Sequence, residues 1–190
     1  MKSLHHDEDG FTGLEAAIVL IAFVVVAAVF SYVVLGAGFF TTQKAQETVH
    51  TAVGQATSAV ELSGPVMVEG GASNDVTNAT FYLQLAAGGN PVDVTKIGYT
   101  VSTPKMMYTA QGSDSVVLIT WLKTIAEGNL LEQREMVLID LDLDAMGFTE
   151  ATMTVNDKLT IEVKPPIGSS LPITRTLPAA LNDNIWYEVY

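Results

Sequence analysis

Residues 16–43, AAIVLIAFVVVAAVFSYVVLGAGFFTTQ, carry no charged side chain, and Glu15 and Lys44 bound the run. As an α-helix these 28 residues extend about 42 Å, more than the ~30 Å hydrocarbon core of a bilayer. The β-branched residues Val24, Val25, Val26, Val29, Val33 and Val34 weaken a helix in water. In lipid every backbone group must be satisfied within the segment, which restores the helix. Downstream, Ala45, Val49, Ala52, Val53, Ala56, Ala59 and Val60 recur at steps of three and four, while Lys44, Gln46, Glu47, His50 and Gln55 take the other face. The spacing predicts one continuous helix from Phe11 to Leu62, stopped by Ser63-Gly64-Pro65.

Beyond Pro65 the period falls to two. Thr80–Leu85, Val92–Val101, Val116–Leu122, Glu135–Leu143, Ala151–Val163 and Ile185–Val189 read as strands, separated by turn clusters such as Gly70-Gly71, Gly88-Gly89-Asn90-Pro91 and Gly112-Ser113-Asp114. The alternation is clearest where Val137, Ile139, Leu141 and Leu143 face one way and Asp140, Asp142 and Asp144 the other. The pattern predicts an α+β chain: a long N-terminal hydrophobic α-helix followed by an antiparallel immunoglobulin-like β-sandwich over residues 63–190.

Composition removes several function classes. Twenty-one acidic against nine basic residues give a net charge of −12, which repels a nucleic-acid backbone. The absence of cysteine excludes disulfides, zinc-thiolate sites and cysteine nucleophiles. Three histidines, His5, His6 and His50, are a thin supply for catalysis, and no nucleophile elbow, Walker or dinucleotide motif accompanies them. We expect no enzyme activity and no cofactor. Gly36-Ala37-Gly38 starts like a dinucleotide fingerprint, but it sits in unbroken apolar sequence, where small residues serve close helix packing.

The N-terminus opens with a hydrophilic leader, MKSLHHDEDG, followed by Phe11-Thr12-Gly13-Leu14-Glu15 and the apolar run. A secretory signal has a shorter apolar stretch and a small-residue cleavage site after it, and neither is present. Gly10, a hydrophobic residue after it and a glutamate four positions further on resemble the class III signal of type IV pilins. The sequence VLIAFVVVAAVFSYVVLGAGF, with Gly13 at the third position after Gly10, resembles that of archaeal flagellins, and GNLLEQRE within residues 121–139 is similar to a segment of their outer domain. Asp9, where archaeal leaders carry Lys or Arg, and Glu15, more typical of bacterial pilins, depart from that pattern.

The resemblance implies a structural subunit of an archaeal motility filament, with residues 1–10 removed by a prepilin-type leader peptidase between Gly10 and Phe11. Residues 11–62 then anchor the precursor in the cytoplasmic membrane and later form the core of an extracellular helical polymer with identical or homologous subunits. Small residues, Ala27, Ala28, Gly36 and Gly38 among them, are suited to close helix approach in that core. Glu15 is the one charge at the mouth of the apolar run, and the new α-amino group on Phe11 would lie one helical turn away as its partner. Two alternatives share these features: an adhesive pilus subunit, and a surface binding domain held by a single membrane helix.

Asn78-Ala79-Thr80 is a glycosylation sequon. Asp140–Asp144 has the outline of a calcium loop, but Ala145 and Ala151 replace the turn glycine and the bidentate glutamate, so it reads as a solvated strand face with no metal. Leu171-Pro172-Ile173-Thr174 approximates a sortase signal but is followed by Arg175 in place of the glycine and by no apolar tail.

Overall fold

A computed structural model describes residues 6–125 and 128–190, with side chains described from Gly13 onward except at positions 56 and 57. The chain divides into two compact units, residues 1–50 and 51–190.

One helix, α1, spans His6–Thr57 and so runs about 78 Å. It begins upstream of the expected Phe11. The apolar residues surround the axis and are exposed throughout, from Leu14 to Phe40. Its residues 13–55 are long and apolar enough to cross a membrane. At the downstream end of the apolar run Thr41 and Thr42 donate their hydroxyls to the carbonyls of Ala37 and Gly38, at 2.8 and 2.9 Å. The helix thus satisfies these polar groups itself, as an apolar medium requires.

The helix also ends earlier than Leu62. Residues 58–59 leave it, and β1 (Val60–Leu62) pairs with a sheet strand, setting Val60 opposite Leu85 and Leu62 opposite Leu83. Ala56, Ala59 and Val60 keep helical spacing, but Val60-Glu61-Leu62 also alternates, and burying Val60 in the core outweighs one more helical turn.

The second unit contains β2 (Val66–Gly70), β3 (Val76–Leu85), β4 (Val92–Asp93), β5 (Gly98–Ser102), β6 (Met107–Gln111) and β7 (Val117–Lys123). It continues with β8 (Leu130–Leu131), β9 (Met136–Asp142), β10 (Lys158–Lys164), β11 (Leu171–Thr176) and β12 (Trp186–Val189). Every pairing is antiparallel. The larger sheet runs β12-β2-β3-β9-β7 with β1 also on β3, the smaller runs β11-β10-β5-β6, and β4 pairs with β8. Their inner faces share one core in which Phe81, Leu83, Ile139 and Leu141 meet Tyr99, Val101, Ile161 and Val163, all essentially fully buried. Phe81 on β3 and Tyr99 on β5 bridge the sheets, with ring centroids 6.3 Å apart.

Two expected strands are shorter than their hydrophobic patterns. Val92–Val101 is interrupted by a 3₁₀ turn at Val94–Lys96, because the Asp93 carboxylate accepts from the Thr95 amide and caps the turn. Ala151–Val163 becomes a strand only at Lys158, since Thr152 and Asp157 hold the preceding residues in turns, accepting from the amides of Thr149 and Thr154. The strands β2, β6, β8 and β11 are additional. Pro172 masks β11, yet it is tolerated there because β11 is a sheet edge.

Candidate self-association surface

The first unit exposes far more apolar surface than a monomer in water carries. Phe23, Phe30 and Tyr32 are 72%, 69% and 82% exposed, and the valines between them more than half. Ala27 and Ala28 are exposed in the middle of this surface. Cβ atoms built at Gly36 and Gly38 would meet nothing within 4 Å, so nothing within the chain requires glycine there. What such positions permit is close approach by another helix or by lipid. Glu15 is exposed beside a shallow groove lined by Ala16, Val19, Leu20, Phe23 and Val24. Gly10 and Phe11 lie in α1, one helical turn upstream of Glu15, and their side chains fall outside the described residues.

On the second unit, the outer face of the larger sheet gathers carboxylates. Pairing sets Glu69 opposite Asn78 and Asn78 opposite Asp142, with Thr80 opposite Asp140 in the adjoining row. Asn78, the sequon asparagine, stands in the sheet interior and donates its side-chain amide to the Glu69 carboxylate at 2.8 Å. Beside it, Ser115, Val116, Leu118, Asp140 and Asp142 complete an open cleft of about 240 Å³. Asp140 is not the solvated residue its place in the alternation implied: one carboxylate oxygen is buried with no protein partner. Its pKa is raised, first by burial and then by the charges of Glu69 and Asp142. Asp142 accepts from the Ala145 amide at 2.8 Å and shapes the turn after β9. Among the described residues no group of three or more His, Cys, Asp or Glu is arranged to hold a metal ion.

The raised pKa has a sign. The folded chain holds the Asp140 proton more tightly than the unfolded chain, so stability falls as pH rises from the ordinary aspartate range through the raised value, and the penalty persists above it. The neutral neighbours Thr80, Asn78 and Leu118 offer Asp140 no countercharge. Asp140→Asn is therefore expected to stabilise the fold at neutral pH by a few tenths to about 1 kcal/mol after solvent screening, with the gain gone near pH 3. Urea titrations at the two pH values measure it, and equal effects at both would refute the electrostatic cause.

Glu135 had no assigned role in the sequence. It is 1% exposed, and its carboxylate gathers the loop between β7 and β9: one oxygen accepts from the Ile125 amide at 2.6 Å and the Thr124 hydroxyl at 3.3 Å, the other from the Glu132 amide at 2.8 Å. Leu131, beside it in GNLLEQRE, is fully buried. The signal in the sequence was a charged residue closing a loop at the point where the strand alternation begins.

Comparison with known proteins places these features. Residues 10–175 match the archaeal-type flagellin family. The chain is 48% identical to "Probable flagellin 1" of Archaeoglobus fulgidus over 93% of both chains, and 42% identical to "Probable flagellin 2" of the same organism over 96% of both. Among solved structures it is similar to that described as the archaeal flagellum of Methanospirillum hungatei strain JF1. That likeness has a TM-score of 0.72 and 33% identity, and covers 93% of this chain and 98% of the other.

Proposed function

This chain belongs to the archaeal-type flagellin family, and on that footing we propose that it is made as a membrane-held precursor, cleaved after Gly10, and assembled into an extracellular motility filament. Its role is structural. The observation that carries the reading is the contrast between the two units: the sandwich buries a complete core of its own, whereas α1 exposes its apolar side chains all round. Such a helix needs lipid or copies of itself. One surface meets both needs in turn, first as an anchor and then as the packed centre of a polymer. A head-to-tail contact that does not close on itself gives an open helical filament.

Cleavage supplies the polar end of the same design. Removal of residues 1–10 by a leader peptidase creates an α-amino group on Phe11 at i, i+4 from Glu15. A carboxylate entering an apolar bundle is costly unless paired, and this amine, from its own or a neighbouring subunit, is the nearest cation the sequence offers.

N-terminal sequencing of subunits from shed filaments is expected to read Phe-Thr-Gly-Leu-Glu. Filament protein beginning at Met1, or beginning downstream of Phe40, would eliminate this processing scheme. Electron microscopy of the shed fraction checks the polymer itself, and a monomeric surface protein with no filaments would favour a single-pass anchored domain.

A further inference from the structure

We propose that the two outer faces of the sandwich bind each other between neighbouring copies of this chain, the larger-sheet face of one subunit docking on the smaller-sheet face of the next. The inference rests on the filament-subunit reading and adds which surfaces of the outer unit meet.

The larger-sheet face is dominated by acceptors. Glu188 lies opposite Met67, which lies opposite Thr80 and, through it, Asp140; the adjoining row carries Glu69, Asn78 and Asp142. These rows share the outer face because the residues alternating with them, Val68, Ala79, Leu141 and Val189, are buried. Four carboxylates thus stand on neighbouring strands with no Lys or Arg in either row. Ionised carboxylates only accept hydrogen bonds.

The smaller-sheet face is of the opposite kind. Thr100 and Thr109 lie side by side with hydroxyl oxygens 3.2 Å apart, and Thr160 and Thr174 do the same at 3.3 Å. Lys158 and Lys164 are exposed at the two ends of β10, and the one carboxylate between them, Glu162, is already bridged by Lys164 at 3.0 Å. On a chain of net charge −12, this face offers ammonium and hydroxyl donors with a local positive balance.

The two faces lie on opposite sides of one core and cannot meet within a molecule. A two-fold pairing through the larger sheets would bring carboxylates against carboxylates. Contact between unlike faces instead sets acceptors against donors and repeats from subunit to subunit, as an open polymer requires.

The test reverses each face in the full-length chain, expressed in cells whose own filament gene is deleted. Lys158→Glu with Lys164→Glu makes the smaller-sheet face acidic, and separately Glu69→Lys with Asp140→Asn and Glu188→Lys leaves Asp142 as the one carboxylate of the two larger-sheet rows beside two lysines. Each variant should lower the filament mass recovered by about tenfold or more, since a like-charge contact is repeated at every interface. The chain carrying all five substitutions should recover most of the wild-type yield, because both faces have changed sign together. Co-expression of the two variants should recover it too, since each then supplies the face the other lacks. Wild-type yields from either variant alone, or no recovery from both the five-substitution chain and co-expression, would overturn the proposal. Failure of the wild-type chain itself to form filaments would overturn the filament reading instead.

Discussion

Ala27→Leu subunits are expected to insert in the membrane and lose the leader normally, yet to give few or no filaments. Ala27 is exposed at the middle of the apolar run, so a larger apolar side chain costs the isolated subunit nothing and suits lipid. In a packed helical core the added atoms must displace a neighbouring helix, and overpacking costs about 1–3 kcal/mol at each contact. A polymer repeats that penalty at every subunit, which turns a modest local cost into failure of assembly. Ala27→Asp is a poorer probe, because a charge near the centre of a membrane helix also costs roughly 2.5–3.5 kcal/mol on insertion. Ala27→Ser, nearly the same size, should assemble. Filament yield, measured beside the amount of cleaved membrane subunit, decides the matter. Normal filaments from both Ala27→Leu and Ala28→Leu would show that these positions do not pack against other helices.

Replacing Glu135 by alanine should destabilise the outer unit by about 2–4 kcal/mol, as the loss leaves donors from Thr124, Ile125 and Glu132 without their buried acceptor. Glu135→Gln should fall between, because one acceptor oxygen remains while the new amide group faces a backbone N–H. The exposed neighbour Gln133→Ala should change stability by less than about 0.5 kcal/mol. Urea unfolding of the full chain in detergent, followed by the fluorescence of Trp121 and Trp186, measures all three. Limited proteolysis should cut the loop between β7 and β9 faster in Glu135→Ala. Wild-type stability in that variant would show that the loop is held by something other than the carboxylate.

Several elements were legible because their physics is local. An uncharged run of 28 residues is long enough to cross a bilayer, where only a helix satisfies its backbone, and the run from Val137 to Leu143 dictates a strand with one buried face; Val137, Ile139, Leu141 and Leu143 are all fully buried. The position of Gly10 before Phe11, with Glu15 beyond, is a feature of the chain and not of its folding. Sequence also located GNLLEQRE as a segment of note, without saying which of its side chains mattered.

The sequence by itself thus determined the division into an apolar helix and an alternating β region, the acidic balance and the small residues at Ala27, Ala28, Gly36 and Gly38. Tertiary structure alone decided where the helix stops, because Val60-Glu61-Leu62 fits both periods and only the presence of Leu83 and Leu85 across the sheet selects the strand. It decided the break at Val94–Lys96, the burial of the Glu135 carboxylate among three donors, and the enclosure of one Asp140 oxygen beside Glu69. It also sorted the charges onto two faces, bringing Glu69, Asp140 and Glu188 together from strands far apart in the chain. Periodicity records which side of its own element a residue faces; which residues it meets there depends on strand order and register, and these are settled by contacts between segments that no local pattern contains.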